Sequence, residues 1–316
     1  MKQIITVTFN PALDVSTTVA ALVPEKKLRC AAPTMEPGGG GINVARAIKK
    51  LGGEATAFFW GGGYAGGEIF HLLGQENVSA LMLPVAGECR ENIAVYDMAA
   101  ACQYRFVMPG PQVTAEELEK GMQLIEDTAP VDYLVVSGSL APGMPPDTFA
   151  RLGSIAAKMG AKYIVDTRGE ALVQAVNAGV YLAKPNISEL ATLAGVTAVQ
   201  EAAVPAIAAA VLQRSQCGAL LVSMGPSGAV LVTPQQVIHF IPPAVTIKST
   251  VGAGDSMLAG VVWSLAQGSS MQQAARYGVA CGTAATLNAG TALCKAADVA
   301  ALCGRITEQQ AGVPLT

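Results

Sequence analysis

An α/β fold, with a mostly parallel central sheet, helices on both its faces and a small separate β-sheet, is predicted by three features of the sequence. Short apolar runs alternate with helical stretches through most of the 316 residues, which is the pattern of a doubly covered parallel sheet. Two segments, residues 15–36 and 90–107, are extended in pattern and lack helical periodicity. Glycine-rich turns open onto helices near residues 38–41 and 252–254.

Each element follows from local chemistry. Ile4–Phe9 is a β-branched run stopped by Asn10-Pro11, so it reads as a buried first strand. Residues 15–36 carry Pro24, Lys26, Lys27 and Arg29 and are expected to form strands with one exposed face. A helix follows the four glycines and ends near Leu51-Gly52-Gly53. Strand Ala55–Phe59, a helix around Gly67–Leu73 and strand Leu81–Leu83 come next, then the extended pair Arg90–Tyr96 and Tyr104–Val107 around a turn at 99–103. This hairpin and residues 15–36 are assigned to one small sheet, a lid set apart from the main body, with Arg90 at its edge. Thr114-Ala115-Glu116-Glu117 is a capping box opening a helix. Strands at 133–136, 163–166, 181–183 and 219–223 then alternate with helices at about 147–159, from 170, at 188–194 and at 201–213. Two further strands, Ala229–Val232 and Val237–Ile241, precede a helical end (257–266, 271–287, 296–303), and the last dozen residues are expected to fray.

Composition narrows the classes. Half the residues are hydrophobic and only 14% are charged, with a formal net charge of −3, which favours a compact enzyme-like body and offers no basic stripe for nucleic acid. The seven cysteines are scattered without paired spacing, as expected of reduced thiols in the cytoplasm. With only His71 and His239, histidine catalysis and histidine metal sites are disfavoured. No apolar run approaches the ~20 residues of a membrane helix.

The sharpest motif is Thr250-Val251-Gly252-Ala253-Gly254-Asp255-Ser256-Met257. Gly252 and Gly254 let the backbone turn its N–H groups toward a ligand, and the following helix aims its positive end at the same point, which makes an anion site. A carboxylate there is out of place unless Asp255 serves as a base toward a hydroxyl or neighbours a cation; the alternative is an ordinary N-cap. Glu36-Pro37-Gly38-Gly39-Gly40-Gly41-Ile42-Asn43 is neither a Walker A loop nor a dinucleotide fingerprint. Its bare backbone can lie flat on a small ligand, with Asn43 offering both a donor and an acceptor. Asp14, Ser139 and Lys184 through Glu189 fall at strand ends, where the crevice of a parallel sheet forms. Asn186 and Glu189 form either an oxygen site for hydrated Mg²⁺ or a capping pair.

The glycine run, the Asn-x-x-Glu of Asn186–Glu189 and Gly252-Ala253-Gly254-Asp255 together resemble the ribokinase-like carbohydrate kinases of the phosphofructokinase-B type, over nearly the whole chain. Longer strings carry the likeness further: Lys27-Leu28-Arg29-Cys30, Glu36–Ala47, Gln103–Gly110 and Ser249–Met257 are similar to the branch that phosphorylates fructose 6-phosphate. The resemblance implies the ribokinase-like three-layer α/β/α fold with a β-sheet lid, the body being residues 1–11, 37–87 and 109–316 and the lid 12–36 and 88–108. It implies ATP-dependent phosphorylation of fructose 6-phosphate at the 1-hydroxyl, with Asp255 as base and Gly252, Ala253 and Gly254 as anion hole. Asp14, Gly38, Gly39, Asn43, Arg90 and Ser139 would bind the sugar phosphate. Lys184, Asn186, Ser223, Gly225, Gly228 and Thr283 would bind ATP, Glu189 would organise Mg²⁺, and Ser249, Val251, Ala285, Asn288 and Gly290 would hold K⁺. Ala292 stands where the family pattern suggests Arg. On this reading Asp255 needs no strongly raised pKa. The acceptor could instead be fructose 1-phosphate or tagatose 6-phosphate. A non-catalytic sugar-phosphate regulator is disfavoured because it has no need of Asp255. The lid segments carry apolar residues (Val15, Val19, Leu22, Leu28, Ile93, Val95, Tyr96, Tyr104, Phe106) read as lying on more than one face, so a homodimer through the lid is expected, with Lys27 reaching the neighbouring site.

Overall fold

Strand Ile4–Thr8 (β1) is buried on both faces, as the middle strand of a covered parallel sheet must be. The computed structural model describes residues 2–128, 130–288 and 290–312. After β1 come Ala12–Val19 (β2), Thr34–Gly38 (β3), helix Gly40–Lys50 (α1), Thr56–Gly61 (β4), helix Gly63–Gln75 (α2), Ser79–Pro84 (β5), Arg90–Asp97 (β6) and Cys102–Phe106 (β7). Regular alternation follows: helix Ala115–Glu126 (α3), Tyr133–Ser137 (β8), helix Thr148–Met159 (α4), Lys162–Asp166 (β9), helix Gly169–Ala178 (α5), Leu182–Ala183 (β10), helices Ile187–Ala194 (α6) and Val204–Gln213 (α7), and Leu220–Ser223 (β11). The remainder is Ala229–Val232 (β12), Val237–Ile241 (β13), helices Ala253–Ala266 (α8), Met271–Thr286 (α9) and Ala296–Cys303 (α10), and Thr307–Gln310 (β14).

Ten strands form the main sheet in the order β14-β13-β12-β11-β10-β9-β8-β1-β4-β5. Pairing is parallel from β5 through β11 and antiparallel from β11 to β14. Alternate side chains of each strand feed two cores: Ala57 and Phe59 pack with α1, α2, α8, α9 and α10, whereas Phe58 and Trp60 pack with α3 to α7. The order reverses beside β1, between β4 on one side and β8 on the other, so the crevice outside the carboxyl ends of β1 and β8 is where a ligand site belongs. Among the described residues no helix is long and apolar enough to cross a membrane.

The expected frayed end is wrong for part of its length. Thr307–Gln310 pairs antiparallel with β13 as an edge strand. Its polar sequence hides it, because an edge strand exposed on one side needs no apolar run. Residues 313–316 lie outside the described residues.

The second sheet has the order β3-β2-β6-β7, with β2 parallel to β6 from Ala12↔Arg90 to Val19↔Asp97. Residues 15–36 are therefore extended only at their ends, and the turn between β6 and β7 is 98–101 rather than 99–103. Register sorts the apolar residues expected on more than one face. Asp14, Glu36, Arg90, Asn92 and Arg105 share one face, with Tyr96 on that side, while Val15, Met35, Ile93, Val95, Tyr104 and Phe106 share the other. Val95 is buried at 8% exposure, whereas Met35, Tyr104 and Phe106 remain open to solvent.

Candidate active site

Helix α8 begins at Gly252, whose φ of 74° is left-handed and whose Cβ, if present, would lie 2.9 Å from Leu293. Gly252 is thus the N-cap, and Asp255 sits one turn inside, which rules out the ordinary N-cap alternative for Asp255. The first-turn amides have no partner within the helix, and of them Ala253 N–H donates to Thr250 O at 3.3 Å. Asp255 accepts a 2.9 Å hydrogen bond from Asn43 Nδ2 on α1. Burial pushes its carboxyl up to about 6, and Asp166 adds to the rise, while Asn43 and Lys184 oppose it. The mechanism needs no strongly raised value, yet the site raises it: the carboxyl is half protonated near pH 6 and mostly ionised above it.

The glycine run has a packing role. A side chain on Gly41 would collide with Val7 O of β1, and one on Gly40 with Ser137 of β8, so these glycines let α1 start directly against the ends of both strands. Gly39, with φ 116°, is the N-cap of α1, and Gly38 lies against the Asp14 carboxylate. Through them Asn43 is delivered to the crevice.

Asp14 accepts a 2.8 Å bond from Asn92 Nδ2. Burial raises its pKa, against the pull of Asn92, Arg105 and Arg90. Arg90 opens β6 at the end of the small sheet, paired with Ala12 of β2 and ahead of the first β7 partner at Ile93; it is half-buried, and its guanidinium donates to Asn10 O at 3.0 Å and Pro11 O at 3.4 Å. Burial lowers its pKa, partly offset by Asp14. Ser139 receives a 3.3 Å bond from Asn10 Nδ2. The side-chain amide oxygens (Oδ1) of Asn10 and Asn92, beside Ser139 and Asp14, are buried without a hydrogen-bond partner. Sequence reading missed both asparagines.

Lys184 follows β10 and bonds Asp166 at the end of β9 at 3.2 Å. Burial alone would lower its pKa, but Asp166 and Asp255 outweigh it and hold the ammonium above its ordinary value. A Cβ on Gly254 would be 3.4 Å from Lys184 Nζ, so the cation stands beside the glycine amides. Asp166, also missed, accepts from Ser137 Oγ at 3.4 Å. Asn186 and Glu189 do form the capping pair, with reciprocal bonds of 2.9 and 2.8 Å. One Glu189 oxygen is thereby engaged. Burial raises its pKa and nearby Asp166 adds to the rise, against the Asn186 amide.

Beyond α8 lies a cavity of about 470 Å³. Ser223, Gly225, Gly228, Ala253, Gly254 and Thr283 are in its wall, with Pro242, Val245, Met257 and Val279 giving it apolar surfaces. On its far rim, Ser249 Oγ donates to Gly290 O at 2.7 Å and accepts from Val251 N at 3.2 Å. Ser249 N reaches Thr286 O at 3.4 Å, next to Ala285, whose carbonyl accepts from Asn288 N at 3.1 Å. These hydrogen bonds link Ser249 to Val251 and Gly290, and Ala285 to Asn288. Among the described residues no group of three or more His, Cys, Asp or Glu gathers as a metal site. Ala292 enters none of the hydrogen bonds described here.

Arranged this way, the crevice can hold a hydroxylated anion on the polar face of the small sheet, a larger group in the cavity, and a carboxylate and a row of amides between them. That is the geometry of group transfer to a hydroxyl. Comparison with known proteins agrees. The family model for pfkB family carbohydrate kinases matches residues 8–298. The chain is 42% identical over 299 residues to the ATP-dependent 6-phosphofructokinase isozyme 2 of Escherichia coli (strain K12), covering 94% of this chain and 97% of that protein. Identity to the 1-phosphofructokinase of Bacillus subtilis (strain 168) is 30%, covering 89% and 92%. Solved structures of Phosphofructokinase-2 from Escherichia coli superpose with a TM-score of 0.92 in complex with potassium, at 41% identity, and 0.90 in complex with fructose-6-phosphate, at 40% identity, each covering 96% of this chain and 99% of the other. Fold, glycine-capped α8 with its half-buried carboxylate, and similarity along the whole chain converge on one statement: the chain belongs to the pfkB family of carbohydrate kinases.

Proposed function

We propose that the chain transfers the γ-phosphoryl group of ATP to the 1-hydroxyl of fructose 6-phosphate, giving fructose 1,6-bisphosphate for glycolysis in the cytoplasm. The observation that carries this reading is Asp255, a half-buried carboxylate on the first turn of α8, bonded to Asn43 on the sugar side and adjoining the cavity wall at Gly254. The greater identity to a 6-phosphofructokinase than to a 1-phosphofructokinase selects the acceptor.

Sugar hydroxyls bond to Asp14, Asn43 and the backbone at Gly38 and Gly39, and the 6-phosphate meets Arg90 and Ser139. The free N–H groups of the Arg90 fork supply charge-assisted bonds to it. The nucleoside occupies the cavity between Ser223, Gly225, Gly228 and Thr283, with its phosphates toward Lys184, Asn186 and the α8 amides. As the 1-oxygen attacks the γ-phosphorus in line, the bond to the bridging oxygen of ADP breaks and the hydroxyl proton passes to an Asp255 oxygen. Amides at Gly252, Ala253 and Gly254 stabilise charge on the transferring group where water is excluded. Glu189, near Asp166, fits Mg²⁺, which takes one or two carboxylates together with phosphates and water; when bound it neutralises phosphate charge. The oxygen-only set of Ser249, Val251, Ala285, Asn288 and Gly290 fits K⁺.

Residues 12–36 and 88–108 act as a lid over the body formed by 1–11, 37–87 and 109–316, its polar face toward substrate. Its apolar face, open at Met35, Tyr104 and Phe106, is covered by a second copy in a homodimer. Rates with fructose 6-phosphate, fructose 1-phosphate and tagatose 6-phosphate test the assignment. The kcat/KM is expected to be highest for fructose 6-phosphate, and an equal or higher value for either other sugar would overturn the choice of acceptor.

A further inference from the structure

Arg46 on α1 is 2% exposed, and a charge so deeply placed needs a reason. Its Nε and Nη2 grip Glu76 at 2.8 and 2.5 Å, its Nη1 donates to Pro37 O at 2.9 Å, and its Nη2 reaches Glu36 at 3.3 Å. Those partners account for its charge. They leave one contact over: Nη1 also donates to Asn43 Oδ1 at 3.4 Å, one turn back on the same helix. Asn43 in turn donates to Asp255 at 2.9 Å.

A guanidinium can only donate hydrogen bonds. Whichever atom of the Asn43 amide faces Arg46 must therefore be its oxygen, and the NH₂ is left facing Asp255. This follows from the chemistry of Arg46 and does not depend on telling the amide's oxygen from its nitrogen. Were the amide reversed, its carbonyl would confront the carboxylate and the ionised base would be disfavoured. We propose that Arg46 is a positioning residue for the reaction, fixing the Asn43 amide so that its NH₂ supports the ionised form of Asp255. The inference rests on the reading of Asp255 as the base. The other charged groups facing Asp255 are Asp166 at the end of β9, Lys184 after β10 and Asp14 on β2; none of them contacts Asn43 Oδ1.

The test is Arg46→Met, read by the pH profile of kcat and by the pH titration of the Asn43 side-chain amide in ¹⁵N NMR, assigned by its loss in Asn43→Ala. In the wild type both midpoints are expected near 6, where burial holds Asp255. In Arg46→Met both move upward by roughly one pH unit, the size of effect expected when a donor to a carboxylate is lost. A purely structural role would lower stability and the yield of active protein and leave both midpoints in place; unchanged midpoints in folded Arg46→Met overturn the inference. If the single variant does not fold because Glu76 is left unpaired, Arg46→Met/Glu76→Met removes both charges and is read identically. Should the wild type fail to phosphorylate fructose 6-phosphate, the functional reading falls, and the NMR titration still decides the role of Arg46.

Discussion

Replacing Asp255 by Asn should abolish most turnover and at the same time make the protein more stable, and the two effects have one cause. Asn keeps the volume and can still accept the bond from Asn43, but it cannot take a proton. Loss of a general base costs roughly 10²- to 10⁴-fold in kcat. The stability effect follows from the displacement of the Asp255 pKa from 3.8 to about 6. The folded protein holds this proton more tightly than the unfolded chain, so the carboxyl favours folding below about pH 4, and that contribution is lost as pH rises through 6. At 1.36 kcal/mol per pH unit the ionised group costs about 3 kcal/mol at pH 8, reduced to roughly 1–3 kcal/mol because Asp255 retains some contact with solvent. Lys184 keeps its 3.2 Å partner Asp166 in the variant, so no buried cation is stranded. Asp255→Asn should therefore melt higher than wild type at pH 8, with the gap closing toward pH 4, while binding of ATP and fructose 6-phosphate by calorimetry is retained. Turnover within tenfold of wild type, or a variant destabilised at pH 8, would refute the reasoning.

Three further outcomes are expected. Arg90→Ala should raise KM for fructose 6-phosphate by an order of magnitude or more with little change in KM for ATP, measured by steady-state kinetics; equal changes would mean that its bonds to Asn10 O and Pro11 O serve lid folding alone. Wild-type kcat should fall as pH drops through about 6, where Asp255 takes up its proton, and a flat profile from pH 5 to 8 would contradict that base. Tyr104→Asp should shift light-scattering mass from dimer toward monomer and lower activity together, because Tyr104 is on the open apolar face of the lid, where Val95 is already buried; a dilute wild-type monomer with full activity would exclude the shared lid and a crossing role for Lys27.

Much of the body was legible because its signals are local. The capping box at Thr114 and Glu117 forms as its spacing requires, and strands Ala229–Val232 and Val237–Ile241 have the expected bounds. The antiparallel edge of the sheet was not legible, since parallel and antiparallel buried strands have the same composition. The glycine run at 38–41 signals a close approach but not its partner; α1 against β1 and β8 could be seen only in three dimensions. Asp166 was passed over because an acidic residue ending a strand looks like a turn, and its meaning comes from Lys184, eighteen positions away and paired with it at 3.2 Å. Arg46 reads as an ordinary helical residue until Glu76, Glu36 and Asn43 surround it. The lid's two faces depend on register, which alternation within single strands does not define when four strands must agree.

The central claim is most directly tested by incubating the protein with ATP, Mg²⁺, K⁺ and fructose 6-phosphate and locating the new phosphate by ³¹P and ¹³C NMR. The account predicts ADP and a second phosphate on carbon 1, giving fructose 1,6-bisphosphate, in wild type and not in Asp255→Asn. A phosphate on another carbon, or ATP hydrolysed with the sugar unchanged, would contradict it.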